Sequence, residues 1–244
     1  MASPASPEAA ADLTRLHALV PIRSLADGKG RLGEALDAEE REALVLGLLA
    51  RTLSVLAEVP AVQVVHVVSR DRLLLRLAER RATDAILESG PPASGEGVNW
   101  ALRLGISVAG AKGASAVLCL PADLAVLSVG AIERLLDAAD AALTAGARRP
   151  MVVVAPSDAR DGTNALLLSP PGVIEPVFGP SSLEAHLRAA AAVGASVQVV
   201  ADPELGFDLD TPDDLERLDA SRLFELVELG MREADALLAP TEAG

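Results

Sequence analysis

The chain has no tyrosine, three phenylalanines and one tryptophan, so aromatic residues make up only 2% of it. Nucleic-acid binding draws on stacking rings and a basic face. A formal net charge of -14 and so few rings supply neither. Cysteine occurs once, at Cys119, which excludes an intrachain disulfide and a thiolate zinc cluster. No stretch reaches the ~18 uncharged apolar residues of a membrane span. The nearest, residues 43–59, is interrupted by Arg51 and Glu58 and reads as a helix with one buried face. The opening MASPASPEAAADL has neither the basic nor the apolar region of a secretory signal. Its composition predicts a disordered lead-in over residues 1–14. These absences point to a cytoplasmic protein with no nucleic-acid or membrane partner.

Several catalytic signatures are missing as well. There is no Gly-x-Ser-x-Gly elbow of a serine hydrolase. Lys29 is followed by Gly30 rather than Ser or Thr, and the upstream glycine of a P-loop is absent. The three glycines of a dinucleotide fingerprint do not follow the first apolar run, which argues against NAD.

What is present is a 50% hydrophobic content built mainly from Ala, Val and Leu, enough for a sizeable core. Apolar runs at 16–22, 62–68, 85–87, 116–120, 151–155, 165–168 and 197–200 read as strands. Between them, amphipathic stretches at 37–57, 71–81, 98–109 and 128–144 read as helices, and 223–238 as a final one. Asp37, Ser128 and Thr211 stand at N-cap positions, the last followed by Pro212. This alternation predicts an α/β protein with a mainly parallel mixed sheet covered on both faces. Residues 15–220 would form the main domain and 221–244 a C-terminal helix and tail, a candidate homodimer interface.

Function in such sheets sits beyond the C-terminal ends of the strands. The first strand runs into a loop carrying Arg23, Asp27, Gly28, Lys29, Gly30 and Arg31. That loop is either a phosphate cradle or a solubilising surface. Asp123 ends the strand at 116–120. Asp208 and Asp210 flank Leu209, so in an extended segment both carboxylates face one side. The three acids make an oxygen cage suited to Mg²⁺, or they are surface and capping acids in a chain with 35 of them. His17 and His66 read as core or edge histidines. His186 either approaches a phosphate or faces solvent.

Six motifs in order, VPIRSLADGKGRL, GEGVNWAL, LPADL, DGTNALLL, FGPSSLEAH and GFDLDTPDDL, span about residues 16–218. Together they resemble the 2-phospho-L-lactate and phosphoenolpyruvate guanylyltransferases of coenzyme F-420 biosynthesis. That family is similar to nucleotidyltransferases with a Rossmann-like, glycosyltransferase-A-type sheet. Departures are Arg23 for a usual Lys, Ala125 for a usual Pro and Leu183 for a common Phe.

The resemblance implies that a phosphorylated three-carbon acid attacks the α-phosphorus of GTP and releases pyrophosphate. The acceptor would be phosphoenolpyruvate or 2-phospho-L-lactate, with 3-phosphoglycerate a further option. Asp123, Asp208 and Asp210 would hold Mg²⁺. Lys29 and Arg31, with Arg23, would neutralise the GTP phosphates, and Lys29, Arg31 and Asp123 form the catalytic set. Gly97 and Asn99 would border guanine and ribose. Thr163, Gly179 and Ser182 would meet the acceptor carboxylate, with Ser182 or Ser181 also capping a helix. The next enzyme of the F-420 pathway is an implied partner for a labile product. Alternatives are a nucleotidyltransferase with another nucleotide or acceptor, of CTP or molybdopterin type, or a silent nucleotide-binding module.

Overall fold

The computed structural model describes residues 11–25, 29–89, 97–147, 150–159 and 161–239. Asp27 and Gly28 of the first loop, and residues 1–10, lie outside them. Among the described residues seven strands form one sheet: β1 (Leu16–Pro21), β2 (Val62–Ser69), β3 (Asp84–Leu87), β4 (Ala116–Cys119), β5 (Met151–Pro156), β6 (Thr163–Ser169) and β7 (Ser196–Val199). Their order is β3-β2-β1-β4-β6-β5-β7. β6 runs antiparallel to both β4 and β5, and every other pairing is parallel.

Every residue of β1, β4, β5 and β6 is buried, as expected for strands covered on both faces. The two-residue strand period divides them between two cores. Leu16, Ala18 and Val20 face the core shared with α1 (Ala38–Glu58), α2 (Arg72–Arg80) and α4 (Val129–Thr144). Leu19 faces the core shared with α3 (Gly97–Ala111) and α5 (Ser182–Ala192). Cys119 is fully buried, which pushes its thiol up to about 12 and leaves it inert. His17 and His66 are both core residues, His17 Nδ1 lying 3.0 Å from His66 Nε2.

Local signals set the helix starts. Asp37 and Glu40 form a capping box at α1, and Ser128 accepts from Ala131 N–H at α4. Asp71 caps α2 through one oxygen, and its other oxygen accepts from Leu25 N–H at 3.0 Å, fastening the loop after β1. After two short helices, α6 (Pro203–Gly206) and α7 (Pro212–Arg217), the chain ends in α8 (Ala220–Leu238). α8 lies against α1 of the same chain, and Arg76 and Arg80 of α2 donate to the Leu237 and Ala236 carbonyls. Phe224 and Met231 remain exposed. Among the described residues no helix is long and apolar enough to cross a membrane.

Candidate active site

Strand order reverses between β1 and β4: one half of the sheet grows through β2 and β3, the other through β6, β5 and β7. A crevice opens at such a switch point, beyond the strand ends. The loops after β1 and β4 border it here, and a cleft of about 1090 Å³ lies above them. It is lined by Arg23, Lys29, Arg31, Gly97, Asp123, Thr163, Gly179, Asp208 and Asp210, among others. Residues more than a hundred positions apart thus share one wall system.

The acidic wall is built by backbone pairing. Leu209 N–H donates to the Asp123 carbonyl at 3.1 Å, which lays the 208–210 segment beside the end of β4. Leu209 is fully buried with Leu32, Leu44, Ala125 and Phe207. With Leu209 turned inward, Asp208 and Asp210 both face the cleft. The Asp210 and Thr211 N–H groups donate to Asp214, whose capping box with Thr211 starts α7 and holds the segment's far end.

Lys29 sits in the middle of this acidity. Its Nζ lies 2.6 Å from Asp210 Oδ1 and 3.5 Å from Asp123 Oδ2. Burial opposes its charge, but the two carboxylates outweigh that and raise its pKa above the usual lysine range. Asp208 behaves in the opposite sense: burial, then the Asp123 charge, raises its carboxyl above the usual range. A hydrogen bond from Asn164 Nδ2 at 3.2 Å only partly offsets this. The same amide donates to the Gly206 carbonyl at 2.9 Å.

The expected ligand set of Asp123, Asp208 and Asp210 therefore reaches one cleft. Among the described residues, however, no three His, Cys, Asp or Glu side chains are gathered closely enough to hold a metal ion as they stand. The Lys29 ammonium lies between two of the three, where a cation would go. The donor set is all oxygen and short of positive charge at Asp208, which fits a hard divalent cation.

Arg23 and Arg31 are exposed on the rim, and among the described residues neither is ion-paired. Gly97 opens α3 at the cleft edge. Asn99 is engaged differently: it accepts from Phe178 N–H at 2.7 Å and donates to the Phe178 carbonyl at 3.0 Å. It thereby clamps α3 to the loop that carries Gly179.

On the opposite wall, Thr163 and Gly179 line the cleft, Gly179 at φ 131 where a side chain would be strained. Ser181 occupies the N-cap position of α5 at φ 58, and its side chain makes no capping bond. Ser182, the first helical residue, is buried and does not line the cleft, and its Oγ has no hydrogen-bond partner among the described residues. Neither serine thus acts as a side-chain cap.

His186 neither reaches a phosphate site nor faces solvent. It is fully buried and bonded to Thr163 Oγ1 and Val177 N–H, both at 3.0 Å. Sequence reasoning also passed over Asn164, though it stands beside Thr163 in the DGTN motif. Arg70 and Glu88, an ion pair at 2.5 Å on the cleft wall near β3, carried no motif at all.

Comparison with known proteins agrees with this architecture. The family model described as "Guanylyl transferase CofC like" matches residues 16–219. A phosphoenolpyruvate guanylyltransferase from Rubrobacter xylanophilus is 41% identical over 206 residues, covering 84% of this chain and 94% of the relative. One from Sphaerobacter thermophilus is 37% identical over 82% of this chain and 91% of its own length. A 3-phospho-D-glycerate guanylyltransferase from Colwellia psychrerythraea is 30% identical over 84% and 91%. Among solved structures, a nucleotidyl transferase from Methanothermobacter thermautotroptrophicus superposes with a TM-score of 0.55 at 14% identity, over 86% of this chain and 98% of that one. A CMP:2-keto-3-deoxy-manno-octonic acid synthetase complexed with CTP gives 0.53, also at 14%, over 88% and 99%. At that identity the likeness concerns the fold alone, a nucleotidyltransferase-like mixed sheet.

Proposed function

This chain belongs to the CofC-like guanylyl transferase family, and we propose that its cleft transfers GMP from GTP to phosphoenolpyruvate, releasing pyrophosphate, as a step in coenzyme F-420 biosynthesis. The observation that carries the reading is Lys29, held between Asp123 and Asp210 at the β1/β4 switch point. A cation at the centre of an acid cluster, on the rim of a loop bearing Arg23 and Arg31, suits a site that brings polyphosphate and metal together. Nucleotidyltransferases generally use a divalent metal; magnesium is the ion we propose here.

The acceptor phosphate is its own nucleophile, since its second pKa is ~6 and it is largely ionised near neutrality. One of its oxygens attacks the α-phosphorus of GTP, the bond to the β-phosphate bridge oxygen breaks, and pyrophosphate leaves with that electron pair. No protein base is required. Lys29, Arg31 and Arg23 bind and neutralise the triphosphate and the leaving group. Asp123, Asp208 and Asp210 would hold the metal once the Lys29 ammonium turns to the phosphates. The metal when bound supplies charge neutralisation and a common template for the two anions. Gly97 borders the nucleoside, with Asn99 holding that edge of the cleft. Thr163 and Gly179 receive the acceptor carboxylate through a hydroxyl and a backbone N–H, while Ser182, whose N–H donates to the Gly179 carbonyl, holds the turn behind them.

The test is pyrophosphate release with each nucleoside triphosphate against phosphoenolpyruvate, 2-phospho-L-lactate and 3-phospho-D-glycerate. Release is expected with GTP and phosphoenolpyruvate, abolished by chelation and restored by Mg²⁺. Release with CTP and not GTP would overturn the reading.

A further inference from the structure

The buried histidine behind the acceptor wall bears on how the acceptor is held. Val177 N–H donates to His186 Nε2 at 3.0 Å, so that nitrogen must carry a lone pair. A neutral imidazole has one N–H, which then belongs to Nδ1. Nδ1 lies 3.0 Å from Thr163 Oγ1, so the ring donates and the hydroxyl accepts. Thr163 keeps its own hydroxyl proton, lines the cleft, and has no second partner at Oγ1 among the described residues.

We propose that His186 is a positioning residue of the acceptor subsite: it locks the Thr163 hydroxyl as a donor toward an anionic oxygen of the bound phospho-acid. The inference rests on the guanylyltransferase reading of the cleft. An imidazolium would set Nε2–H against Val177 N–H, two donors face to face. Burial agrees with the neutral ring, lowering its pKa to about 4. The same ring steadies Val177, while Asn99 holds Phe178 from the other side, so the two fix the strap that leads into Gly179.

Two substitutions separate the ring's two bonds. His186→Gln keeps an acceptor near the Nε2 position and removes the donor to Thr163; His186→Asn does the reverse. His186→Gln should raise KM for phosphoenolpyruvate about tenfold, the effect of losing one oriented hydrogen bond to a charged group, with KM for GTP unchanged. His186→Asn should recover most of that loss. The double variant Thr163→Val/His186→Gln should be no worse than Thr163→Val alone, because the ring acts through the hydroxyl. An unchanged acceptor KM in folded His186→Gln, an equal rise in both KM values, or additive losses would overturn the proposal. Should neither variant fold, imidazole nitrogen chemical shifts of the wild-type protein decide the matter. The Nδ1–H tautomer is expected at neutral pH, and Nε2–H or the imidazolium would overturn it. Absence of any turnover by wild-type protein with GTP would instead sink the guanylyltransferase reading, and the nitrogen shifts would still judge the His186–Thr163 bond.

Discussion

Lys29 holds the left-handed backbone conformation, φ 54 and ψ 32, which costs a non-glycine residue about 1–2 kcal/mol. Its contacts with Asp123 and Asp210 offset that strain and aim the ammonium at the place where polyphosphate and metal would meet. Lys29→Ala should raise KM for GTP by at least about tenfold and leave the ranking of phospho-acid acceptors unchanged, as steady-state kinetics with each acceptor would show. A shift in that ranking would remove Lys29 from the donor side.

Asp208 makes a complementary prediction. Its folded pKa is raised by burial and by Asp123, so the folded state binds a proton more readily than the unfolded chain does. Stability therefore falls as pH rises from the ordinary carboxylate range through the raised value, and the penalty persists at neutral pH. In chelator, Asp208→Asn should raise the neutral-pH Tm by roughly 2–4 °C, while turnover falls at least about a hundredfold. A lowered Tm with near-normal turnover would contradict both halves. The arrival of both residues in one cleft was legible because each rests on local sequence: an Asp-x-Asp around a buried leucine, a lysine between two glycines. The role of His186 was not, since its partners Thr163 and Val177 come from other elements.

At the scale of elements, the tightest joint is the crossing of α1 and α8. A Cβ on Gly47 would fall 1.9 Å from the Leu226 carbonyl oxygen, and one on Gly230 1.7 Å from that of Ala43. Both contacts are with backbone and cannot be relieved by a side-chain rotation. Gly230→Ala should destabilise the protein by about 2–3 kcal/mol, seen as a lower urea midpoint with an unchanged slope. An unaffected midpoint would mean that α8 is not docked in solution as it is here. The apolar spacing predicted a helix over residues 223–238, but not its docking face, because glycines in a helix pattern announce weakness rather than contact. The two serines before α5 show the converse. Their composition suggested a side-chain cap, yet Ser181 takes the left-handed conformation rather than the extended one of a capping residue, and its side chain makes no capping bond.

Over the whole molecule, three buried histidines in an acidic chain set its response to acid. Burial lowers the pKa of His66 and of His186 to about 4, and lowers that of His17. The unfolded chain would take up these protons near the ordinary histidine value of 6.5, before the folded protein can. Their contribution is thus fully present above about 6.5 and is lost as pH falls toward about 4. Urea midpoints measured across that interval should decline steadily, and His66→Gln should flatten part of the decline. A midpoint independent of pH there would mean that the rings are hydrated or already charged.

The sequence by itself determined most of the elements, the caps at Asp37, Ser128 and Thr211, and the class of chemistry. Periodicity and capping are short-range properties, and six ordered motifs carry the family with them. It also placed the basic loop and Asp123 at strand ends, because function in a sheet of this kind gathers there. Only the tertiary structure decided which strand ends are neighbours and that β6 runs antiparallel between β4 and β5. The same is true of the Lys29 ammonium, which occupies the middle of the acid cluster, and of Asn99, whose amide is engaged by Phe178. Each depends on pairing between segments distant in the chain, where hydrogen-bond register and burial select partners that no local pattern encodes.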